Sequence, residues 1–460
     1  MRHGVRGKNP LLRLAVVAAL AATPLITLAS VGQADQLAPP LGPCVGTCPN
    51  PFPNPPNNGD FAGSDSTINI YVGGNYTVGG RAAEAEGKIV TVKDLTIAKD
   101  GGGLFNTGVV GVGSRVPPPQ GTDFVTVGGA VDVRPGNELA VGGVDSTGTR
   151  WGNLVYGTDQ SGQITMAPTG TVRRDPAAID AFTGLTPVIE GHSACMAQQT
   201  ATGQLTVDTN LYTFTGDGVS MRQVFNVDRN IGSASAAADI VFAGIPAGAT
   251  VIVNMVGPDP VLIRTNTGTG IPGDQLTDMQ PLLMWNIPNA AAATISGGAQ
   301  FQGSIMAGNP DGTVTVAVPG TNGRVYLAGN LVQEGTSGTE LHAYPFNGDL
   351  PECGESPSPS PSPSPSPSPS PSPSPSPSPS PSESTSPPPS PSPSESSSSP
   401  VPSPSPSTPR PTGSRSPHPR PLPDTGGGDL VAPAAGAAAL LLGLGGGVIA
   451  LARRVRGRHH

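Results

Sequence analysis

The chain has 460 residues, a formal net charge of -8 and only 12% charged residues. This composition offers no broad basic surface, so nucleic acid is not an expected partner. Glycine is frequent (63 residues) and aromatic residues make up 4%. Many glycines and few aromatic residues are typical of short strands joined by tight turns.

The amino-terminal segment has the order of a secretory signal peptide. Basic residues precede an apolar run from Leu14 to about Leu28, and small residues follow up to Ala34. The apolar run is short for a membrane anchor, so we expect cleavage after Ala34, with residues 1–34 as the signal peptide. The proline-rich residues 35–60 are predicted to form a linker.

Export makes disulfides chemically permissible. Four cysteines allow three complete pairings. The first two are close enough in sequence to close a small loop, which is the favoured pairing and would leave the other two to join each other. These disulfide candidates are Cys44, Cys48, Cys195 and Cys353.

Residues 61–349 are the part of the chain able to bury a sizeable core. From Ile68 to Val78, apolar residues alternate with others and are interrupted by the glycine pair Gly73–Gly74. The same local pattern returns at Val125–Val133 and at Leu139–Gly143. Period-two alternation broken by glycine predicts short strands and turns, in an irregular internal repeat.

A different periodicity appears between residues 175 and 200. Four apolar residues there can share one helical face, with Asp175 as a cap, Pro176 in the first turn and Pro187 as a point of kinking or division. They are Ile179, Phe182, Leu185 and Ile189.

Short strands with one inserted helix predict an all-β domain, either a parallel β-helix or a related β-sandwich. In the β-helix, which we favour, apolar residues stack inward and flat ladders remain outside. Such ladders are natural binding faces.

Several segments in the second half of the domain resemble the choice-of-anchor A domain of secreted bacterial proteins, and the glycine-rich start at Ile68 agrees. The resemblance implies an adhesive module found with different anchoring tails, and it supplies no catalytic residue. The segments are Ile245–Asn254, Leu283–Pro288, Gly303–Ala307 and Glu340–Phe346.

Other chemistry is weakly supported. The acidic residues are scattered rather than paired, so we expect no enzyme, and no cluster of residues has zinc-ligand spacing, so no cofactor or metal is expected. Turn formation is the favoured role of the Asn and Asp residues that could otherwise offer oxygen atoms to calcium. We expect Trp285 to be buried and Trp151 to be the better surface aromatic. The histidines considered as metal ligands are His192 and His342, and the residues considered for calcium are Asp274, Asp278, Asn309 and Asp311.

Residues 350–421 are predicted to form a stalk, and from Glu355 to Arg420 the chain consists almost entirely of proline and serine. Such a segment cannot build a core and should be an extended polyproline-II spacer. At about 3.1 Å per residue, roughly 65 residues reach on the order of 200 Å, which suits crossing a thick wall.

Residues 422–460 resemble the L-P-x-T-G sorting signal of sortase substrates. The pentapeptide precedes an uncharged stretch, residues 430–452, which is long enough to span a bilayer and is followed by a basic tail. The resemblance implies cleavage between Thr425 and Gly426, attachment of Thr425 to peptidoglycan, and sortase as a partner. The motif is Leu422, Pro423, Asp424, Thr425 and Gly426.

Together these features predict an exported protein, transiently inserted in the membrane and then fixed to the wall of a Gram-positive bacterium. Its β domain is expected to act as an adhesin for an extracellular ligand that the sequence does not identify. The alternatives are a glycan-active surface enzyme on a β-helix and a structural coat component.

Overall fold

The computed structural model describes residues 35–145 and 148–352. The predicted signal peptide, the predicted stalk beyond residue 352 and the predicted sorting signal lie outside these residues. Within them, no helix is both long and apolar enough to cross a membrane.

Three sheets of parallel strands dominate the structure. The chain passes through the three sheets one after another, so that most coils contribute one strand to each sheet. We name them sheets A, B and C. In spatial order, the ten strands of sheet A are Val172–Arg174, Asn153–Tyr156, Asp123–Val127, Lys88–Thr91, Ile68–Val72, Val325–Leu327, Ser304–Ala307, Leu283–Ile287, Thr250–Met255 and Arg222–Val227.

Sheets B and C follow the same order of coils. The eight strands of sheet B are Gln160–Ser161, Val131–Val133, Leu95–Ile97, Tyr76–Val78, Asn330–Gln333, Thr313–Ala317, Ala292–Ser296 and Val261–Arg264. The seven strands of sheet C are Gln163–Met166, Asn137–Val141, Gly103–Gly108, Glu84–Glu86, Glu340–His342, Gly320–Asn322 and Phe301–Gln302.

This arrangement is the coil of a parallel β-helix, and it confirms the all-β prediction with the parallel sheets that the favoured alternative requires. Antiparallel pairing among the described strands is confined to short elements. These are Asp35–Gln36 with Asp349–Leu350, Gly46–Thr47 with Ser64–Asp65, Gly143–Asp145 with Gly148–Arg150, and Gln204–Asp208 with Leu211–Thr215, the last strand also pairing in parallel with Asp239–Ala243.

The coils do not stack in chain order. The chain begins in the middle, at Ile68–Val72, and builds outward to Val172–Arg174. It then restarts at the opposite end, at Arg222–Val227, and builds back until Val325–Leu327 pairs with Ile68–Val72. The first and last coils are therefore neighbours.

The segment between the two halves contains the predicted helix as two pieces, α1 (Asp180–Thr183) and α2 (Leu185–Ala197). The division falls at Gly184, and Pro187 lies in the first turn of α2, where a missing N–H costs no hydrogen bond. A short helix that the sequence did not indicate, α3 (Gln275–Met279), precedes a 3-10 turn at Gln280–Leu282.

Helix α2 lies on the outer face of sheet A and is held there by amide side chains. Asn286 Nδ2 donates to the Ser193 carbonyl at 2.8 Å, and Asn254 Nδ2 donates to the Met196 carbonyl at 2.8 Å. Asn286 also donates to Asn254 Oδ1 at 2.8 Å. This ladder satisfies polar groups that the helix buries.

The interior is filled by inward-facing residues of all three sheets. A group of aromatic rings closes the end that starts at Arg222. Phe214 stacks on Phe242 with centroids 4.9 Å apart, and Trp285 lies 5.1 Å from Phe301. Trp285 is fully buried and donates from Nε1 to the Gln302 carbonyl at 2.9 Å, as expected for a core residue.

Residues before and after the coils pack on sheet A. Leu37 and Leu41 are buried together with Phe346 and Leu350. Cys44 and Cys48 are joined by a disulfide. Residues 35–60, which were expected to form a linker, therefore lie against the domain. Their apolar side chains are buried by packing on the outer face of sheet A.

Candidate binding face

Sheet B presents a row of partly exposed side chains along the outer face of its strands. Side chains alternate along its strands. In Tyr76–Val78 the first and last residues are buried, and Thr77 between them is half-buried. The same pattern holds in Leu95–Ile97, Val131–Val133 and Asn330–Gln333. One set of side chains fills the core and the other faces outward.

The outward side chains form rows that run across the strands. Register places the central residue of each strand beside that of the next, at the 4.7–4.9 Å spacing of neighbouring strands. Eight strands give a row of about 34 Å. In order along the sheet this row is Ser161, Asp132, Thr96, Thr77, Val332, Thr315, Thr294 and Leu262.

Threonine is the most frequent residue of this row, which we call the threonine row. Each threonine offers a methyl group and a hydroxyl group, and its branched side chain has few conformations on a strand. A second, shorter row follows at Asn330, Thr313 and Ala292. The surface is therefore regular, stiff and nearly uncharged at its centre.

Side chains at the turn that enters sheet B lock neighbouring coils together. Asn75 N donates to Asn330 Oδ1 at 2.9 Å, Asp94 N donates to Asn75 Oδ1 at 3.2 Å, and Ala130 N donates to Asp94 Oδ1 at 2.7 Å. Each carboxylate or amide oxygen thus caps the turn of the next coil. These hydrogen bonds fix the positions of neighbouring coils relative to one another.

The glycine pairs of the sequence are explained by the same turn. A Cβ atom on Gly74 would lie 2.3 Å from Asn330 Oδ1, and one on Gly129 would lie 2.1 Å from Asp94 Oδ1. Any side chain there would displace the locking oxygen. The pairs Gly73–Gly74 and Gly128–Gly129 therefore mark the entrance of sheet B, whereas Gly142–Gly143 follows the sheet C strand Asn137–Val141.

The other two sheets are more covered. Outward residues of sheet A such as Tyr71, Met284 and Tyr326 are buried under α2 and the terminal segments. In the middle of sheet C, the outward residues Glu84 and Glu86 are buried, and Glu86 accepts hydrogen bonds from the backbone of residues 114, 115 and 343. Sheet B has no such cover among the described residues.

The remaining sequence candidates have structural roles or lie elsewhere. His342 is buried, with ring nitrogens 2.8 Å from Asn322 Oδ1 and 3.1 Å from Glu340 Oε2. His192 lies on α2, where burial lowers the pKa of its ring. Trp151 is half-buried.

The acidic residues considered for calcium form caps and turns instead. Asp274 accepts from Thr277 N at 3.2 Å as the cap of α3, and Asp278 accepts from Gly273 N at 3.0 Å. Asn309 Oδ1 accepts from Asp311 N at 3.0 Å. In the described ranges, no group of three or more His, Cys, Asp or Glu side chains could hold a metal ion.

The second cysteine pairing stays a prediction. Cys195 lies on α2 and is not a free thiol, and Cys353 lies outside the described residues. Ala34 and the motif from Leu422 to Gly426 also lie outside them, so the structure does not test the predictions about signal cleavage and sorting.

The threonine row itself was missed by the sequence reasoning, although a signal for it exists. Its threonines occupy the centre of apolar triplets that follow a turn. The triplets are Tyr76-Thr77-Val78, Leu95-Thr96-Ile97, Ala293-Thr294-Ile295 and Val314-Thr315-Val316.

The fold is that of a β-helical domain with a regular outer face on sheet B. The chain matches, over residues 61–342, the model of a family described as "Putative Ice-binding-like adhesive domain". The match covers more than half of the chain, and the protein belongs to this ice-binding-like adhesive domain family. It thereby has the β-rich, adhesin-like character of this family.

One solved structure is also similar. It is the DUF3494 domain of ice-binding protein 1 from Shewanella frigidimarina, with 14% sequence identity and a TM-score of 0.26, covering 63% of this chain and 99% of that one. No curated protein sequence matches the chain.

Proposed function

We propose that the protein is an adhesin covalently fixed to the bacterial cell wall, and that the outer face of sheet B is its binding surface. The observation that carries the proposal is the threonine row, which is open along the whole sheet and stiffened by the locked turns beneath it. A proline-serine stalk and a sortase signal would hold this face away from the membrane.

A regular row favours a ligand that is itself regular. Each threonine contributes a small contact, and a rigid surface loses little conformational freedom on binding, so many weak contacts can add. A solid or polymeric ligand with a short repeat would meet several threonines at once. Ice, which the family description names, and fibrous polysaccharides both have this character and belong in the same test.

Bulky substitutions on the threonine row should abolish adhesion. In cells that display the full chain, Thr96→Tyr combined with Thr315→Tyr is expected to weaken binding to the recognised solid at least about tenfold, because two rings raise parts of the face out of contact. Adsorption of the cells to ice, cellulose and chitin particles would be measured at equal surface amounts of protein.

The matched control is Thr206→Tyr, an exposed threonine on the small sheet at Gln204–Asp208. It should leave adsorption unchanged. Equal losses from the control and the double variant would remove sheet B as the binding face, and release of soluble products from the particles would favour an enzyme instead.

The anchoring part of the proposal has its own test. Thr425→Ala should move the protein from the wall fraction to the membrane or the medium, because sortase joins its substrate through the threonine carbonyl. Fractionation after muramidase digestion measures the shift, and Ser416→Ala, in the stalk, serves as the control. A variant at Thr425 that remains wall-bound would contradict covalent sorting.

A further inference from the structure

A cavity of about 500 Å³ opens at the corner where sheet B turns into sheet C, near the end of the β-helix that terminates at Val172–Arg174. Its wall includes both charged and uncharged polar side chains. The polar residues that matter here are Asp132, Arg134, Asn137, Glu138, Ser161 and Gln163.

Glycine residues form the corner at which the cavity opens. Three successive coils turn this corner through Gly103, Gly136 and Gly162, whose φ angles are +110°, +84° and +81°. L-residues with side chains rarely adopt this conformation. A Cβ atom on Gly136 would face open space, with no neighbour within 4 Å, whereas one on Gly162 would lie 1.9 Å from the Val133 carbonyl oxygen.

The floor of the cavity continues along the outer face of sheet C. Leu104, Glu138 and Gln163 are neighbours in register, and the next outward row is Asn106, Ala140 and Thr165. A smaller extension of about 20 Å³ lies over this second row and shares Leu104 and Glu138 with the main cavity. The cavity and this extension together form a groove. The five-residue strand Asn137–Val141 gives the groove a length of about 17 Å.

The carboxylates in the groove are held in place by local partners. Ser161 Oγ donates to Asp132 Oδ1 at 2.7 Å, and Arg134 pairs with Asp132 at 2.9 Å. Thr165 Oγ1 donates to Glu138 Oε1 at 2.7 Å. These contacts orient the two carboxylates, and a carboxylate can accept several hydrogen bonds at once.

This lining combines fixed acceptors, Asp132 and Glu138, with amide and guanidinium donors, Gln163 and Arg134. Hydroxyl groups donate and accept, so a chain of them matches such a mixture. A strongly anionic ligand would face two carboxylates, and a strongly cationic one would face Arg134. The elongated shape fits a linear ligand rather than a compact one.

We propose that this groove binds an uncharged oligosaccharide, lying along Asn137–Val141, as a second binding site that adjoins the threonine row at its Ser161 and Asp132 end. It adds a soluble-glycan specificity to the protein and does not depend on what the threonine row recognises.

The test uses cells that display the full chain and fluorescent linear tetrasaccharides of glucose, xylose, mannose and N-acetylglucosamine. At least one is expected to bind saturably, and Glu138→Ala and Gln163→Ala should each weaken that binding about tenfold or more. Gln163 is exposed, so its variant keeps the test valid if Glu138→Ala is poorly displayed.

The control is Thr315→Tyr, four strands from Asp132 along the threonine row, which should leave tetrasaccharide binding unchanged even where it weakens adsorption to solids. Absence of binding by all four neutral tetrasaccharides would overturn the proposal, as would stronger binding of a tetragalacturonate, or binding that neither groove variant alters. Loss of adsorption without loss of tetrasaccharide binding separates the two sites.

Discussion

Replacing Arg324 by methionine is expected to lower the free energy of unfolding by about 3–5 kcal/mol, because it leaves a buried carboxylate without its counter-charge. Arg324 Nη2 lies 2.5 Å from Asp65 Oδ2, and the two side chains are 1% and 5% exposed. The same nitrogen donates to Thr67 Oγ1 at 2.8 Å, and Arg324 Nε donates to the Gly42 carbonyl at 3.3 Å.

The position of this pair explains why its loss should be global. Arg324 immediately precedes the last strand of sheet A, whereas Gly42 and Asp65 belong to the segment before the first. Asp65 Oδ1 also accepts from Val45 N at 3.0 Å and Thr67 N at 2.9 Å. The pair therefore connects the two parts of the chain that meet in the middle of the β-helix.

Urea denaturation of the secreted protein would measure the effect. The matched control is Arg134→Met, which breaks the exposed pair with Asp132, whose side chains are 61% and 32% exposed. Exposed pairs contribute about 0–1 kcal/mol. Adding Asp65→Leu to Arg324→Met should recover part of the loss, since the unpaired charge disappears. Equal losses from Arg324→Met and Arg134→Met would contradict this account.

The sequence contains enough information to predict the coil but not the order of the coils. Alternation identifies inward residues such as Val72 and Val78, because side chains on a strand have period two. The pairing of Ile70 with Val325 is not predictable in this way. Both strands carry the same apolar pattern, and nothing local distinguishes a neighbouring coil from a distant one.

The candidate binding face shows the same limit. The glycine pairs at Gly73–Gly74 and Gly128–Gly129 were recognised as turns, yet their exact requirement depends on side chains from another coil, Asn330 and Asp94. The sequence makes Pro187 a point of kinking or division, but the helix divides at Gly184 and Pro187 lies in the first turn of α2, where proline is tolerated. In both cases the deciding contact or position is set by the assembled fold.

Stability should fall as pH rises from about 4.5 to 8, and Glu84 should be a main cause. Its side chain is completely buried. Burial, followed by the nearby charge of Glu340, raises its pKa from 4.5 to about 8, although hydrogen bonds from Gly111 N and the Asn106 amide oppose the shift. Glu86 adds a smaller repulsion, and Lys99 is the cation that interacts with it.

The direction of this pH dependence is set by how many protons the folded and unfolded states bind. Between pH 4.5 and 8 the folded protein keeps the Glu84 proton that the unfolded chain has released, so raising the pH favours unfolding. Below pH 4.5 both states are protonated, and above pH 8 both are ionised, so the dependence levels off. The total change from this residue is on the order of 5 kcal/mol at most.

Glu84→Gln should therefore flatten the stability curve. The difference in free energy of unfolding between the variant and the original protein should increase in favour of the variant from pH 4.5 to pH 8. Urea denaturation at each pH measures it, with the exposed Glu352→Gln as the control. If the two variants show the same pH profile, Glu84 does not retain its proton on folding, and Lys99 must instead stabilise its ionised form.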